Sequence, residues 1–192
     1  SLYNYRHRGS RGLPWTAIVL MTMGMLTKGP VAILLPCLCL GIYGLMRGDR
    51  FLPLFGKMVA SGILALIIPA IWYIAAWHMG GQEFFDLAWE ENFGRLTGTM
   101  SYESHVNPWW YNIVTLIAGW LPYTLLALLA LFVARWKVLA HASWIGDSWT
   151  RMRRMHPATL YSTVCAAVIF IFYCIPSSKR SVYLLPMYPF MA

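Results

Sequence analysis

Negative charge is scarce in this chain. Asp and Glu together account for 7 of 192 residues, and charged residues of both signs make up only 11%. Soluble domains carry about a quarter charged residues, so the composition belongs to the integral-membrane class. No Walker-type loop, HExxH, GxSxG or dinucleotide fingerprint occurs, which argues against a nucleotide-driven pump and against a soluble-type hydrolase site in this stretch. No CxxC occurs either. Cys37, Cys39, Cys165 and Cys174 each lie inside an apolar run with no histidine nearby, and read as small packing residues. The chain begins at Ser1 in a basic segment without a signal-peptide pattern and ends at Ala192 within an apolar run. The expectation from these ends is an internal stretch of a longer protein.

What is abundant is apolar surface: 59% of residues are hydrophobic, and the mean hydropathy is +0.55. The fold class expected is all-α, a polytopic integral membrane protein whose helical bundle carries an amphipathic helix in an outer loop. Residues 1–192 are expected to form part of one transmembrane domain of about five to six membrane segments. The apolar stretches are Leu13 to Leu26, Val31 to Met46, Met58 to Trp77, Trp109 to Ala134, Ala158 to Ile175, and a helix opening at Val182. The net charge of +8 is no sign of nucleic acid, because the basic residues sit in short clusters beside apolar segments, the pattern of cytoplasmic loops.

Orientation follows from that bias. With residues 1–12, 47–57 and 135–157 inside, 11 of the 15 basic residues are cytoplasmic. Lys28, Arg95, Lys179 and Arg180 are left outside. Five of the seven acidic residues (Glu83, Asp86, Glu90, Glu91, Glu103) then lie outside too, all between Gln82 and Tyr111. Residues 13–46 must therefore go out and return, although each arm measures only about 21–24 Å against a hydrocarbon core of about 30 Å. The turn at Thr27-Lys28-Gly29-Pro30 is placed near the outer boundary or in a cavity open to it, and Pro30 suits the start of the second arm. The rival is one kinked, tilted span, which would spoil the charge bias.

Lys28 is an ionisable group in a membrane segment, where charge costs at least about 2.5–3.5 kcal/mol at the bilayer centre. It reads either as an anion site beside the helix that starts near Pro30 or as a lysine snorkelling to the interface. Lys179 and Arg180 invite the same two readings. In the acidic loop, Phe84 to Arg95 has the pattern of a short amphipathic surface helix. Glu90 and Glu91 are either acid–base groups or that helix's wet face. His105 is a metal ligand or an interface residue, and a lone histidine is short of the three or four ligands that a site needs. Trp109, Trp110 and Tyr111 belong to the aromatic belt, or offer planes on which a sugar could rest.

Gly24-Met-Leu-Thr-Lys-Gly-Pro-Val-Ala32, Glu91-Asn-Phe-Gly-Arg95 leading through His105 to Pro108-Trp-Trp-Tyr111, and Ser178-Lys-Arg before Tyr183-Leu-Leu-Pro186 together resemble the GT-C membrane glycosyltransferases. The similar branch is the bacterial one related to protein O-mannosyltransferases and to the lipid A aminoarabinose transferase. The resemblance implies an inverting transferase of the bacterial inner membrane. It would take a sugar from a polyprenyl-phosphate donor and pass it to a glycolipid or protein acceptor at the periplasmic face, among membrane lipids and with no nucleic acid partner. It maps the phosphate-binding lysine onto Lys28 and places Arg95, His105 and Lys179 near the donor phosphate or a bound divalent cation. Arg180 and Glu90 join them by charge and placement. The family's catalytic base lies in a loop expected before Ser1. The alternative is a secondary transporter or flippase for an anionic lipid or sugar, with Lys28 at a broken helix.

The topology is testable by single-cysteine labelling with a membrane-impermeant reagent. Ser104→Cys and Ser178→Cys should label from outside and Ser143→Cys should not; the reverse pattern would overturn the orientation.

Overall fold

A computed structural model describes residues 2–7, 12–94, 107–133, 152, 154–176 and 178–191. These residues are overwhelmingly helical and contain no strand, as the apolar periodicity requires. The chain divides into two compact units, Ser1–Ser104 and His105–Ala192.

The first unit starts with a short helix α1 (Leu2–His7), followed by α2 (Trp15–Lys28) and α3 (Val31–Met46). The last two are the short arms expected from sequence, 14 and 16 residues long. They fold back on one another. A Cβ placed on Gly24 would stand 2.8 Å from the Cβ of Ala32, whereas residues eight apart in one continuous helix are separated by about 12 Å. The single kinked span is therefore ruled out. The reversal rests on Gly29, whose φ of 74° and ψ of −161° fall in a region open essentially to glycine alone. Pro30 then opens α3 with φ −57°, the value its ring imposes.

At the other end of α3, Gly48 adopts φ 81°. The Asp49 amide donates to the Gly44 carbonyl at 2.9 Å, and the Gly48 amide donates to Leu45 at 3.0 Å. This pair of bonds is a Schellman cap, which satisfies carbonyls that the helix end would otherwise leave open. The chain then enters α4 (Phe51–Trp89). The helix begins at Phe51 rather than at the expected Met58, because Pro53 in the first turn has no N–H to lose from the ladder.

α4 packs antiparallel to α3 and alongside α2. Ile18 and Met21 of α2 and Ala65 of α4 form a buried cluster with Ile33 and Cys37 of α3 packed on it. Thr22 Oγ1 donates to the carbonyls of Ile18 at 3.0 Å and Ala65 at 3.2 Å. A hydroxyl shared between two helix backbones in this way ties them where no water competes. The opposite face of α4 (Ile63, Ile67, Ile68, Ile71, Ile74) is exposed, as a lipid-facing surface should be and a soluble helix's should not.

Residues 51–80 of α4 are about 45 Å long, so this helix runs well past the tip of the α2–α3 hairpin. At Gly81 (φ 64°, ψ −155°) the chain reverses a second time in the same glycine-only conformation. The ring of Phe84 consequently lies 6.2 Å from Trp72 and 6.3 Å from Tyr73, residues that a straight helix would hold about 16–18 Å away. The return arm ends in a π-helical turn, Glu90–Gly94.

The second unit contains α5 (Tyr111–Gly119), α6 (Tyr123–Val133), α7 (Pro157–Cys174) and a 3₁₀ helix (Ser181–Phe190). Its core is Leu160, Val164, Cys165 and Ile169 of α7 with Leu184 and Met187 of the 3₁₀ segment. The apolar run expected over Trp109 to Ala134 is bent: α5 and α6 meet at 97°, where Pro122 lacks the amide that would continue α5. The helix expected from Val182 is present and takes the 3₁₀ form, since Pro186 and Pro189 each remove a donor from the i→i−4 ladder. At the end of α7, the buried Asn112 of α5 donates to the Tyr173 carbonyl at 2.7 Å, filling one of the acceptors a helix terminus leaves open.

Among the described residues, two helices are long and apolar enough to cross a membrane, and three if the bent α5–α6 pair counts as one span.

The two reversals predict different sensitivities. Gly29→Ala forces a Cβ into the Asn92 side chain as well as into a forbidden backbone region, whereas Gly81→Ala meets open space and bears only the backbone strain. We expect Gly81→Ala to cost about 1–3 kcal/mol and Gly29→Ala more, read as thermal unfolding of the purified protein. Equal losses would refute the steric part of this account.

Candidate functional site

Lys28 is the last residue of α2 and is exposed at the hairpin tip. It faces two helix ends of opposite sign. The carbonyl end of α2 favours its positive charge, and the amide end of α3, which has no side-chain cap, starts three residues on at Val31. Among the described residues, the Lys28 ammonium has no hydrogen bond or ion pair, so its charge is available to an anion.

The return arm after Gly81 comes back onto this tip. Asn92 Nδ2 donates to the Ala88 carbonyl at 2.8 Å, which holds the side chain against its own helix with Oδ1 turned to Gly29. Asn92 and Gly29 are so close that no side chain at 29 could fit. The acidic segment is thus folded over the lysine turn, and the lysine and the carboxylates, distant in sequence, belong to one neighbourhood of the first unit. Arg95 and His105 lie outside the described residues.

Glu90 and Glu91 are half-buried, whereas Glu83 and Asp86 earlier on the same arm are exposed together with Phe85, Trp89 and Phe93. Those three rings stack in sequence, with centroids 6.3 Å and 4.5 Å apart, and Trp77 continues the ladder at 5.9 Å from Phe85. This arm therefore exposes an aromatic stripe beside its first two acids and leaves Glu90 and Glu91 partly covered. Among the described residues no three His, Cys, Asp or Glu side chains cluster as metal ligands.

In the second unit, Lys179 is 5% exposed. Its ammonium donates to the carbonyls of Pro176 at 2.8 Å and Asn107 at 3.3 Å, and Asn107 Nδ2 donates back to the Lys179 carbonyl at 3.0 Å. This reciprocal clasp joins the segment before Trp109 to the Ser178-Lys179-Arg180 turn, two motifs that the sequence holds some 70 residues apart. Lys179 is therefore turned inward and partnered by backbone; it does not snorkel. Arg180, next to it, is exposed. Trp109 and Trp110 are exposed at the start of α5, and Tyr111 is half-buried.

Sequence reasoning missed Asn92 as an individual residue and Gly81 as a hinge. The Gly80-Gly81 pair ahead of the acidic segment was the available signal, since paired glycines inside a helical run mark a turn.

No protein-family model matches this chain, and no solved structure matches it. Over 190 residues, 99% of the chain, it is 25% identical to an uncharacterized protein of Aquifex aeolicus and covers 34% of that protein. It is 31% identical over 108 residues (54% of the chain, 18% of the relative) to undecaprenyl phosphate-alpha-4-amino-4-deoxy-L-arabinose arabinosyl transferase 1 of Pseudomonas fluorescens. It is 32% identical over 120 residues (62% and 21%) to the arabinosyl transferase of the same description in Pseudomonas aeruginosa. The chain spans about a third or less of the length of these curated relatives, and what it shares with the named ones is partial homology to transferases that use an undecaprenyl-phosphate-linked sugar.

Proposed function

We propose that this chain is the part of a membrane glycosyltransferase that holds the phosphate of a polyprenyl-phosphate sugar donor. The observation that carries the reading is Lys28, an exposed cation at a glycine-only break between two apolar helices too short to span. The similarity to the undecaprenyl-phosphate arabinosyl transferases supports the donor class.

The reaction is substitution at the anomeric carbon. The C1–O bond to the phosphate breaks, a C1–O bond to the acceptor hydroxyl forms with inversion, and the hydroxyl proton leaves to a base. As C1 takes on oxocarbenium character, the departing lipid phosphate gains negative charge. A fixed ammonium aimed at that oxygen, with the amide end of α3 beside it, binds the transition state more strongly than the ground state. The prenyl chain stays among lipids against the exposed apolar helices. Lys28 at the hairpin tip spares it from leaving the bilayer, and the return arm carrying Asn92 shields the phosphate from water. Arg95 belongs to the proposal as a further cation for the phosphate and the half-buried Glu90 as a group for the sugar or acceptor. In the second unit, taken by itself, the exposed Arg180 is proposed as a cation for an anionic ligand and the Trp109–Tyr111 edge as an aromatic surface for a sugar. The inner membrane of a bacterium, with the reaction at its periplasmic face, is the setting that the charge bias supports. A transporter of an anionic lipid draws on the same broken helix, and would move the lipid without forming a glycosidic bond.

In the full-length enzyme, Lys28→Ala should lower transfer from an undecaprenyl-phosphate-linked sugar by about 100-fold or more, with unchanged thermal stability and partial recovery in Lys28→Arg. Unchanged transfer would sink the phosphate role. Lys179→Ala should behave in the opposite way. Its loss strands two buried carbonyls and should lower stability by about 1–3 kcal/mol, a deficit visible in thermal unfolding without any substrate.

A further inference from the structure

At the end of the first unit away from Lys28, α1, the α2–α3 hairpin and the start of α4 line a half-open cavity of about 430 Å³. That volume lies within the range of about 300–1,000 Å³ typical of small-molecule sites. Its floor is apolar, made by Met21, Cys37, Leu40 and Met58, and its rim is basic, with Arg50 and Lys57.

Among the described residues the rim charge is uncompensated. The one acidic group in the lining, Asp49, is fully engaged by Arg6 through a two-pronged pair, Nε to Oδ2 at 2.6 Å and Nη2 to Oδ1 at 2.7 Å. Arg6 is further held over the ring of the wholly buried Tyr43, 5.0 Å from its centroid. Arg50 is exposed and, among the described residues, has no hydrogen bond or ion pair. Lys57 meets only the Tyr5 hydroxyl, at 3.3 Å, and the face of its ring. The amide end of α4 opens at the same rim, with no side-chain cap and no acidic residue in its first turn. Two cations and a helix N-terminus therefore surround the mouth of an apolar chamber. Just outside it, the stacked rings of Phe51 and Phe55 are exposed, which sets the mouth at a lipid boundary rather than in bulk water.

We infer that this cavity binds one anionic glycerophospholipid, the phosphodiester held by Arg50 and Lys57 and an acyl chain lying on the Met21–Met58 floor. Charge complementarity selects the occupant. A zwitterionic lipid brings its own ammonium against the two cations, and an uncharged chain gains nothing from them. The site is separate from Lys28, at the opposite end of the hairpin, and stands whether or not the donor reading does.

The test uses full-length protein, delipidated in detergent, with Cys37 as the only cysteine. The reaction rate of Cys37 with an apolar thiol reagent reports whether the chamber is filled. Phosphatidylglycerol should protect Cys37 at about 30-fold lower concentration than phosphatidylethanolamine, from two cations each contributing about fivefold. Arg50→Gln and Lys57→Gln should each lose about fivefold of that preference. Equal protection by the two lipids, or a preference that survives both substitutions, would overturn the site. So would stronger protection by undecaprenyl phosphate than by phosphatidylglycerol, which would reassign the cavity to the carrier lipid. A Cys37 that is inert in the delipidated protein would show the chamber filled by another part of the chain, and would also reject the proposal. Native mass spectrometry of the wild type, scoring bound phosphatidylglycerol against phosphatidylethanolamine, should show the same preference without relying on any variant, and equal occupancy would reject it.

Discussion

The first unit depends on a backbone conformation that only glycine adopts freely. Between α2 and α3 the chain must reverse within two residues, because neither arm is long enough to leave the apolar layer and return separately. Gly29 provides the reversal and Pro30 restarts the helix. Everything that makes the neighbourhood chemically interesting follows from that turn. It ends one helix on Lys28, points the amide end of the next at the same spot, and leaves a bare Cα against which Asn92 can lie. Gly81 repeats the device about 50 residues later, and the second reversal gives the first its cover.

The two lysines singled out by charge counting have opposite physical situations. Lys28 has no partner among the described residues and sits at a tip; Lys179 is enclosed and clasped by carbonyls. Both lie outside the basic clusters that the charge count assigns to the cytoplasmic side, and sequence position alone could not separate them. The difference arises from partners supplied by distant parts of the chain, Asn107 for Lys179 and, among the described residues, none for Lys28. A buried ammonium whose donors are met by main-chain oxygens serves packing and turn geometry first.

Much of the helical layout was legible because membrane segments obey simple length and charge rules. The two short arms, their break at Gly29-Pro30 and the helical character of Phe84 to Gly94 follow from apolar length and pattern. What escaped was set by single residues acting on hydrogen-bond ladders. Pro122 bends an apolar run that hydropathy counts as continuous, and Pro186 with Pro189 converts a helix to the tighter 3₁₀ form. The exposure of Phe85, Trp89 and Phe93 beside Glu83 and Asp86 escaped for a different reason: beside lipid an aromatic face belongs outside as readily as an acidic one does in water.

The unequal heights of the hairpin and α4 have a mechanical consequence for the surrounding lipid. The hairpin tip reaches α4 roughly ten residues short of Gly81, a step of about 15 Å. One side of this unit is therefore thick and the other thin, and the adjoining leaflet has to dimple to follow it. Such a mismatch costs fractions of a kcal/mol per ångström. A long, pliant, branched lipid fills a dimple of that kind with less strain than ordered straight acyl chains do, so the step itself biases which molecules collect around Lys28 before any charge is felt.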